Sequence, residues 1–284
     1  MVIPDTRTPT PPLPEPLAAE VHRLDDAFSG EIAVWAHDLR RGETYGFRAE
    51  ESFYPASTIK LFILRELFRR VEEGTARLRD RVVMEKADIV AGSGVIRDLT
   101  PPLPLSLHDA ATLMITVSDN TATNLLIGRL NTRTINSQTH QAGFGDTQLG
   151  GKLFKGRGLR SQTTPRDLGV LMTQIARGRA VSASASTQML KILRREQYNT
   201  IVGRYLPTTD ADDEKERDPW KVASKSGSIN HLRHDVAFVE GQGLSYVVAL
   251  LSRGGTDLSW TPDNEGHICL AHVARAVHDH VARA

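Results

Sequence analysis

Apolar and polar residues alternate near both ends of the chain and recur at helical spacing through its middle. Alternation with a period of two is typical of half-buried strands, whereas a spacing of three or four is typical of helices with one buried face. These patterns predict the following elements: a helix at 17–28, a strand hairpin at 31–36 and 44–48, helices at about 57–73, 106–117, 122–130, 164–175 and 186–195, strands at 220–227, 236–240 and 246–252, and a closing helix at 264–282.

Two stretches lack such a pattern. Residues 131–162 contain several glycines and little periodicity, which predicts mostly loop. Residues 210–218 are a charged run, typical of a solvated surface loop. The order of the remaining elements favours an α+β fold, in which an antiparallel sheet is flanked by N- and C-terminal helices and carries an inserted all-α subdomain.

The chain of 284 residues is long enough to bury the core of one large domain. Residues 1–15 are rich in proline and threonine and are predicted to form a flexible tail, followed by a single domain over 16–284. Within it we expect an α/β subdomain at about 16–56 plus 200–284 and a helical subdomain at about 57–199.

The N-terminus has no apolar core of the kind that a secretory signal needs, so the chain as written is expected to be cytoplasmic, or secreted if a signal was removed. No apolar run approaches the length of a membrane span. The formal net charge is +1, with 35 basic and 34 acidic residues, which indicates neither a nucleic-acid surface nor a polybasic membrane patch.

Cys269 is the only cysteine, which excludes an intrachain disulfide. His267 and His272 lie near it in the sequence, but their spacing matches no zinc pattern. We therefore predict no metal and no cofactor. The residues leave the oligomeric state open.

Candidate chemistry begins at Ser57 and Lys60. A helix start at this point places free backbone N–H groups and the positive end of the helix dipole beside Ser57, where they favour negative charge on an oxygen. Lys60 lies three residues further on, so both side chains share one helix face. A lysine whose pKa is lowered can act as the base that activates a serine. Alternatively, Ser57 only caps the helix and Lys60 is solvated.

Two further motifs follow, Ser118-Asp119-Asn120 after a helix and Lys225-Ser226-Gly227 on a predicted strand. With Ser57-Thr58-Ile59-Lys60, they make the chain resemble the class A serine β-lactamases and the penicillin-binding proteins related to them, from about Leu17 to the end. The resemblance implies a β-lactamase/transpeptidase-like fold and a serine hydrolase that forms an acyl-enzyme. The implied partner is a small β-lactam, acyl-peptide or ester substrate.

The resemblance also implies how protons move in the reaction. Ser57 would be the acylated nucleophile and Lys60 its proton acceptor, directly or through water. Ser118 would pass a proton to the leaving nitrogen. Asn120 would hold the side-chain amide of the substrate and restrain Lys60.

The third motif would bind the substrate along a strand. Lys225 would supply positive charge that lowers the pKa of its neighbours and attracts an anionic substrate. Ser226 and Gly227 would lie on the strand edge that lines the substrate. The backbone N–H groups of Ser57 and Ser228 would form the oxyanion hole.

Arg233 is predicted to face the substrate carboxylate. It lies eight positions beyond Lys225, on the expected neighbouring antiparallel strand, where members of the family that the chain resembles often have an arginine facing the substrate carboxylate. A planar bidentate donor suits that task better than a lysine. The alternative is an exposed strand arginine with no such role. His234 and Asp235 beside it are predicted to be structural.

The chain departs from the family in the loop before the Thr-Thr-Pro helix start. Class A enzymes place a glutamate there that activates water for deacylation, whereas residues 121–166 of this chain contain no glutamate. Asp146 is the only carboxylate in this stretch, and its turn favours a local capping role. Ser161 stands where relatives often have a loop-anchoring aspartate, but Asn124 matches the asparagine that braces the loop.

Three functions remain open at this point. The chain is predicted to open β-lactams through an acyl-enzyme on Ser57, with slow or unusual deacylation, because a general base contributes about a hundred- to ten-thousandfold to a rate. The first alternative is a DD-peptidase or esterase that uses the same serine. The second is a non-catalytic penicillin-binding protein.

Overall fold

The computed structural model of the protein describes residues 8–155, 160–208 and 219–283. The charged run predicted as a surface loop at 210–218 lies outside the described residues. The helices are α1 (Leu17–Ala27), α2 (Lys60–Glu72), α3 (Leu107–Thr116), α4 (Asn120–Leu130), α5 (Thr132–Gln141), α6 (Pro165–Ala176), α7 (Ala183–Leu193) and α8 (Glu265–Arg283). The strands are β1 (Glu31–Asp38), β2 (Glu43–Phe47), β3 (Arg81–Met84), β4 (Leu103–Ser106), β5 (Lys221–Ile229), β6 (Leu232–Gly241) and β7 (Leu244–Arg253).

Five strands form one antiparallel sheet in the order β2-β1-β7-β6-β5, which confirms the predicted α+β fold. Strand β1 pairs with β7, so the sheet joins the two ends of the chain. Strands β5 and β6 form a hairpin in which Gly227 faces His234 and Ser228 faces Arg233. β5 is the last strand in the order, so its outer edge pairs with no other described strand.

Apolar residues on the terminal helices bury the core of the sheet. Helix α8 packs on β7 and on α1, and the shared core includes Val21, Ile32, Leu250 and Val273. Such packing is required because an isolated helix or sheet leaves its apolar face in water. Helix α6 also approaches the sheet closely, because a Cβ added at Gly169 would lie 2.0 Å from the ring of Trp35.

Contacts along the chain divide it into two compact units. One contains the five-stranded sheet and consists of residues up to Thr58, 164–173 and those from Asn199 onward. The other contains α2 to α5, α7 and the small β3–β4 sheet, within 59–163 and 174–198. The predicted subdomain limits differ from these units at 164–173, which group with the sheet.

Residues 131–162 are mostly loop where the structure describes them, as predicted, but helix α5 was not expected within this stretch. Its single strongly apolar residue, Ile135, is buried, so the helix has almost no periodic pattern. The side chain of Asn131 accepts a hydrogen bond from the N–H of Arg133 and starts the helix. Strand β6 also begins four residues earlier than predicted, at Leu232.

Within the described parts of the chain, no helix combines the length and apolar character that crossing a membrane requires.

Candidate active site

Ser57 lies in a 3-10 turn, Ala56–Ile59, that leads directly into α2 at Lys60. The α-helix therefore starts later than predicted. The carbonyl of Pro55 closes the turn by accepting hydrogen bonds from the N–H of Thr58 at 3.1 Å and from its hydroxyl at 2.6 Å. Ala56 has a φ of 45°, which is strained for a residue with a Cβ.

Strand β5 approaches the backbone of this turn at Gly227. A Cβ added there would lie 3.0 Å from the backbone N of Ser57 and 3.2 Å from that of Thr58. Only glycine permits so close an approach without displacement of the turn. Ser228, the predicted second oxyanion donor, is the next residue of this strand.

Lys60 is buried and bound to the second motif. Its Nζ lies 2.7 Å from the carbonyl oxygen of Ser118, 3.0 Å from Ser118 Oγ and 2.9 Å from Asn120 Oδ1. The carbonyl and amide oxygens only accept hydrogen bonds, so both orient Nζ by accepting from it. The hydroxyl either accepts from an ammonium or donates to a neutral amine, so a proton can pass between Lys60 and Ser118.

The backbone of the second motif is strained and held by Asp119. Ser118 has a φ of 52°. The buried carboxylate of Asp119 accepts a hydrogen bond from the N–H of Ala122 and caps α4. It also accepts from the N–H groups of Val95 and Ile96, at 2.7 and 3.0 Å. The sequence-based reasoning missed this role, although an aspartate just before a helix is a capping signal.

A glycine-containing loop folds over Asn120. The N–H of Asn120 donates to the carbonyl of Ser93 at 3.0 Å, and its side-chain Nδ2 donates to that of Ala91 at 3.2 Å. A Cβ added at Gly92 would lie 2.5 Å from Asn120 Nδ2, and one at Gly94 would lie 2.3 Å from the Asp119 carboxylate. Both glycines are therefore required for this contact, and the side-chain amide of Asn120 is fixed on two sides.

Lys225 is buried on β5, and its Nζ donates to the carbonyl of Ser226 at 3.0 Å. The third motif therefore belongs to the sheet unit with Ser57 and Ser228, whereas Lys60, Ser118 and Asn120 belong to the helical unit. The roles predicted for these residues stay predictions.

Arg233 lies on β6 opposite Ser228, as expected for the neighbouring antiparallel strand. It is only 2% exposed, and burial lowers the pKa of its guanidinium. Its guanidinium donates to the backbone carbonyls of Ile229, Leu232 and Ser259, at 2.7, 2.8 and 2.6 Å. The first two contacts stabilise the turn between β5 and β6, and the third binds the segment after β7. Because Arg233 is buried, the alternative of an exposed arginine is wrong. Binding of a substrate carboxylate stays a prediction.

Asn124 braces the loop that lacks the glutamate. Its Nδ2 donates to the carbonyl of Leu153 at 2.8 Å, and its Oδ1 accepts from the N–H of Leu153 at 2.7 Å. The hydroxyl of Ser161 accepts from the N–H of Gly150 at 2.9 Å and closes the same loop. Asp146 is exposed. The braced position thus carries an aliphatic side chain without acid–base chemistry.

Among the described residues, no group of three or more His, Cys, Asp and Glu side chains is placed to hold a metal ion.

Known proteins share this fold and sequence along most of the chain. A model of the beta-lactamase enzyme family matches residues 16–281. A beta-lactamase of Rhodobacter capsulatus is 24% identical over 271 residues, which cover 93% of this chain and 87% of the relative. The structure of a beta-lactamase from Sphaerobacter thermophilus superimposes with a TM-score of 0.84 at 30% identity, and covers 94% of this chain and 97% of that one.

A third similar structure is a leucine-to-glutamate mutant of PBP-A in an acyl-enzyme complex with penicillin G. It has a TM-score of 0.82 at 26% identity and covers 98% of this chain and 100% of that one.

Proposed function

Because the chain belongs to the beta-lactamase enzyme family and is a class A beta-lactamase-like serine hydrolase, we propose that it opens β-lactams through an acyl-enzyme on Ser57 and releases the acyl group slowly. The observation that carries the proposal is the brace between Asn124 and Leu153, in a loop whose sequence contains no glutamate.

Acylation uses the residues of the three motifs. Ser57 Oγ forms a bond to the carbonyl carbon of the lactam, and its proton passes to Lys60 directly or through water. The carbon–nitrogen bond of the ring then breaks, and Ser118 transfers a proton to the ring nitrogen. The 3.0 Å contact between Lys60 Nζ and Ser118 Oγ supports this route, because the proton taken from Ser57 can return through Lys60 to Ser118.

Three further groups of the sheet unit favour the acylation step. The N–H groups of Ser57 and Ser228 would stabilise the negative charge on the former carbonyl oxygen, and such a donor typically contributes about a hundredfold to a rate. The charge of Lys225 would attract the carboxylate of the β-lactam.

Deacylation requires a water molecule that a general base activates. Leu153 cannot supply that base, so the acyl-enzyme is expected to persist. The acyl-enzyme complex of the PBP-A mutant supports the acylation step, because a chain of similar fold holds a penicillin-derived acyl group. That mutant carries an introduced glutamate, so it is not an argument for slow release.

The test is intact-mass measurement after incubation with penicillin G. We expect a mass gain on Ser57 that remains for many minutes, and none in Ser57→Ala.

Leu153→Glu places a carboxylate at the braced position and is expected to speed the loss of the adduct about tenfold or more. Lys152→Glu, which adds the same carboxylate one residue earlier on an exposed side chain, serves as the matched control and should keep the wild-type lifetime. Rapid return of the wild-type protein to its starting mass with product release would contradict slow deacylation.

A DD-peptidase or esterase that uses the same serine is the second candidate. The missing glutamate favours it, because that glutamate serves the release of β-lactam acyl groups. A peptide or ester substrate forms a different acyl-enzyme, which can be turned over even where a β-lactam adduct would be long-lived. Hydrolysis of a simple ester without any penicillin adduct would support the esterase. A persistent adduct with no hydrolysis of any acyl substrate would support a non-catalytic penicillin-binding protein.

A further inference from the structure

His234 lies in the sheet directly beneath the segment that carries Ser57. It is fully buried on β6, and its Nε2 lies 2.8 Å from the carbonyl oxygen of Tyr54. Because a carbonyl only accepts hydrogen bonds, Nε2 must carry the proton and donate it. The other ring nitrogen, Nδ1, lies 3.2 Å from the N–H of Ser252 and 2.6 Å from the carbonyl of Arg233. A neutral ring protonated on Nδ1 would leave Nε2 without a proton, whereas acceptance of the Ser252 N–H by Nδ1 selects the neutral ring that is protonated on Nε2; in the charged ring both nitrogens donate.

Burial keeps this imidazole neutral at ordinary pH, since it lowers the pKa of His234 to about 4. In the neutral ring Nδ1 is unprotonated and accepts the N–H of Ser252. The ring of Phe53 also packs edge-on against the imidazole, with 6.4 Å between the ring centroids. The side chain therefore has one orientation, which points its N–H at Tyr54.

The Tyr54 carbonyl belongs to a short segment that needs anchoring. Pro55 has no N–H, Ala56 has a positive φ, and the turn closes only at Thr58. Gly227 contacts the segment at the N–H of Ser57, and His234 is the residue paired with Gly227 across the two strands. The pair thus holds the segment on both sides of Pro55.

We propose that His234 is a positioning residue for acylation, whose Nε2–H fixes the Tyr54 carbonyl and thereby the backbone of Ala56 and Ser57. The inference rests on the proposed function. Without this hydrogen bond the Tyr54 carbonyl would lose the donor that His234 supplies, and the strained backbone at Ala56 would relax toward a commoner conformation. The Ser57 hydroxyl and N–H, which must both be in place for attack and oxyanion binding, would then shift together.

The first readout is acylation by a fluorescent penicillin, measured as a rate at saturation and as an apparent affinity. In His234→Phe we expect the saturating rate to fall about tenfold or more, with the affinity changed less than about threefold. His234→Gln keeps a side-chain N–H donor and should recover part of the rate. His37→Gln is the matched control, because His37 is another buried histidine of the sheet, bonded to Thr44 on β1 and β2, and it should acylate like the wild type.

The second readout does not depend on a substrate. Hydrogen exchange of the amides of Ala56, Ser57 and Thr58 should be faster in His234→Phe than in the wild type and His37→Gln. Two outcomes would overturn the inference. One is unchanged hydrogen exchange in this segment. The other is a wild-type saturating rate of acylation in a folded His234→Phe or His234→Gln protein whose exchange is faster. If the wild-type protein forms no penicillin adduct, the proposed function fails on its own, and exchange still decides whether His234 holds the segment. If His234→Phe does not fold, His234→Gln compared with His37→Gln decides by the same two readouts.

Discussion

At the scale of single residues, the candidate site depends on positions where the backbone is strained or closely approached. Ala56 and Ser118 both have positive φ angles. Ala56 directly precedes Ser57, and Ser118 carries the hydroxyl that is proposed to transfer a proton. Gly227 is the point at which strand β5 meets the N–H of Ser57. The reaction is therefore expected to be sensitive to single atoms added at these places.

Gly227→Ala tests this sensitivity. The new Cβ would lie 3.0 Å from the backbone N of Ser57, and neither backbone can move cheaply, so the Ser57 N–H should be displaced from the oxyanion. We expect the rate of acylation by penicillin G to fall on the order of tenfold to a hundredfold. Gly145→Ala is the control, because a Cβ there has open space, and it should react like the wild type. An unchanged rate in Gly227→Ala would remove this contact from the mechanism.

At the scale of elements, Asp119 joins α4 to a loop that is distant in the sequence. Its carboxylate caps the helix and also holds the N–H groups of Val95 and Ile96. The loop in turn accepts hydrogen bonds from Asn120. The position of the second motif is therefore set by one buried carboxylate as much as by the helix that follows it.

Asp119→Ala should lower the free energy of unfolding by more than the loss of an ordinary helix N-cap does. Removal of Ser106, which caps α3 by accepting from the N–H of Asp109, is expected to lower the free energy of unfolding by about 1 kcal/mol. Asp119→Ala also leaves two loop N–H groups unpaired, so we expect a loss of about 2–4 kcal/mol. Urea unfolding of Ser106→Ala and Asp119→Ala gives both values, and equal losses would show that the loop contacts contribute nothing.

At the scale of the whole molecule, buried histidines connect stability to pH. Burial lowers the pKa of His234 to about 4 from an ordinary 6.5. Between these values the unfolded chain binds a proton that the folded chain does not. The contribution of His234 to the free energy of unfolding is therefore fully present above pH 6.5 and is lost progressively as the pH falls toward 4.

The expected size of this effect follows from the shift of the pKa. A depression of about 2.5 units corresponds to about 3 kcal/mol, of which about 2 kcal/mol is lost between pH 7 and pH 5. We expect the free energy of unfolding, measured in urea, to fall between these pH values by about 2 kcal/mol more in the wild type than in His234→Gln, which has no imidazole. The same pH dependence in both proteins would show that His234 does not titrate in this way.

Local patterns along the chain determined the α+β class, most helices and strands, and the three motifs at Ser57, Ser118 and Lys225. They could do so because a period of two or of three to four, and a motif of three or four residues, are properties of neighbouring residues. The pairing of strands from both chain ends followed from the same patterns and was confirmed by the sheet order.

Only the tertiary structure decided how those residues are held. Strand β5 approaches the 3-10 turn at Ser57 closely, Asp119 binds the N–H of a loop residue 24 positions away, and the bond from His234 to Tyr54 spans 180 positions. Helix α5 formed without an apolar stripe, and Arg233 turned to backbone carbonyls. These features arise because buried polar groups must find partners wherever folding brings them, and the choice of partner is not recorded in the residues beside them.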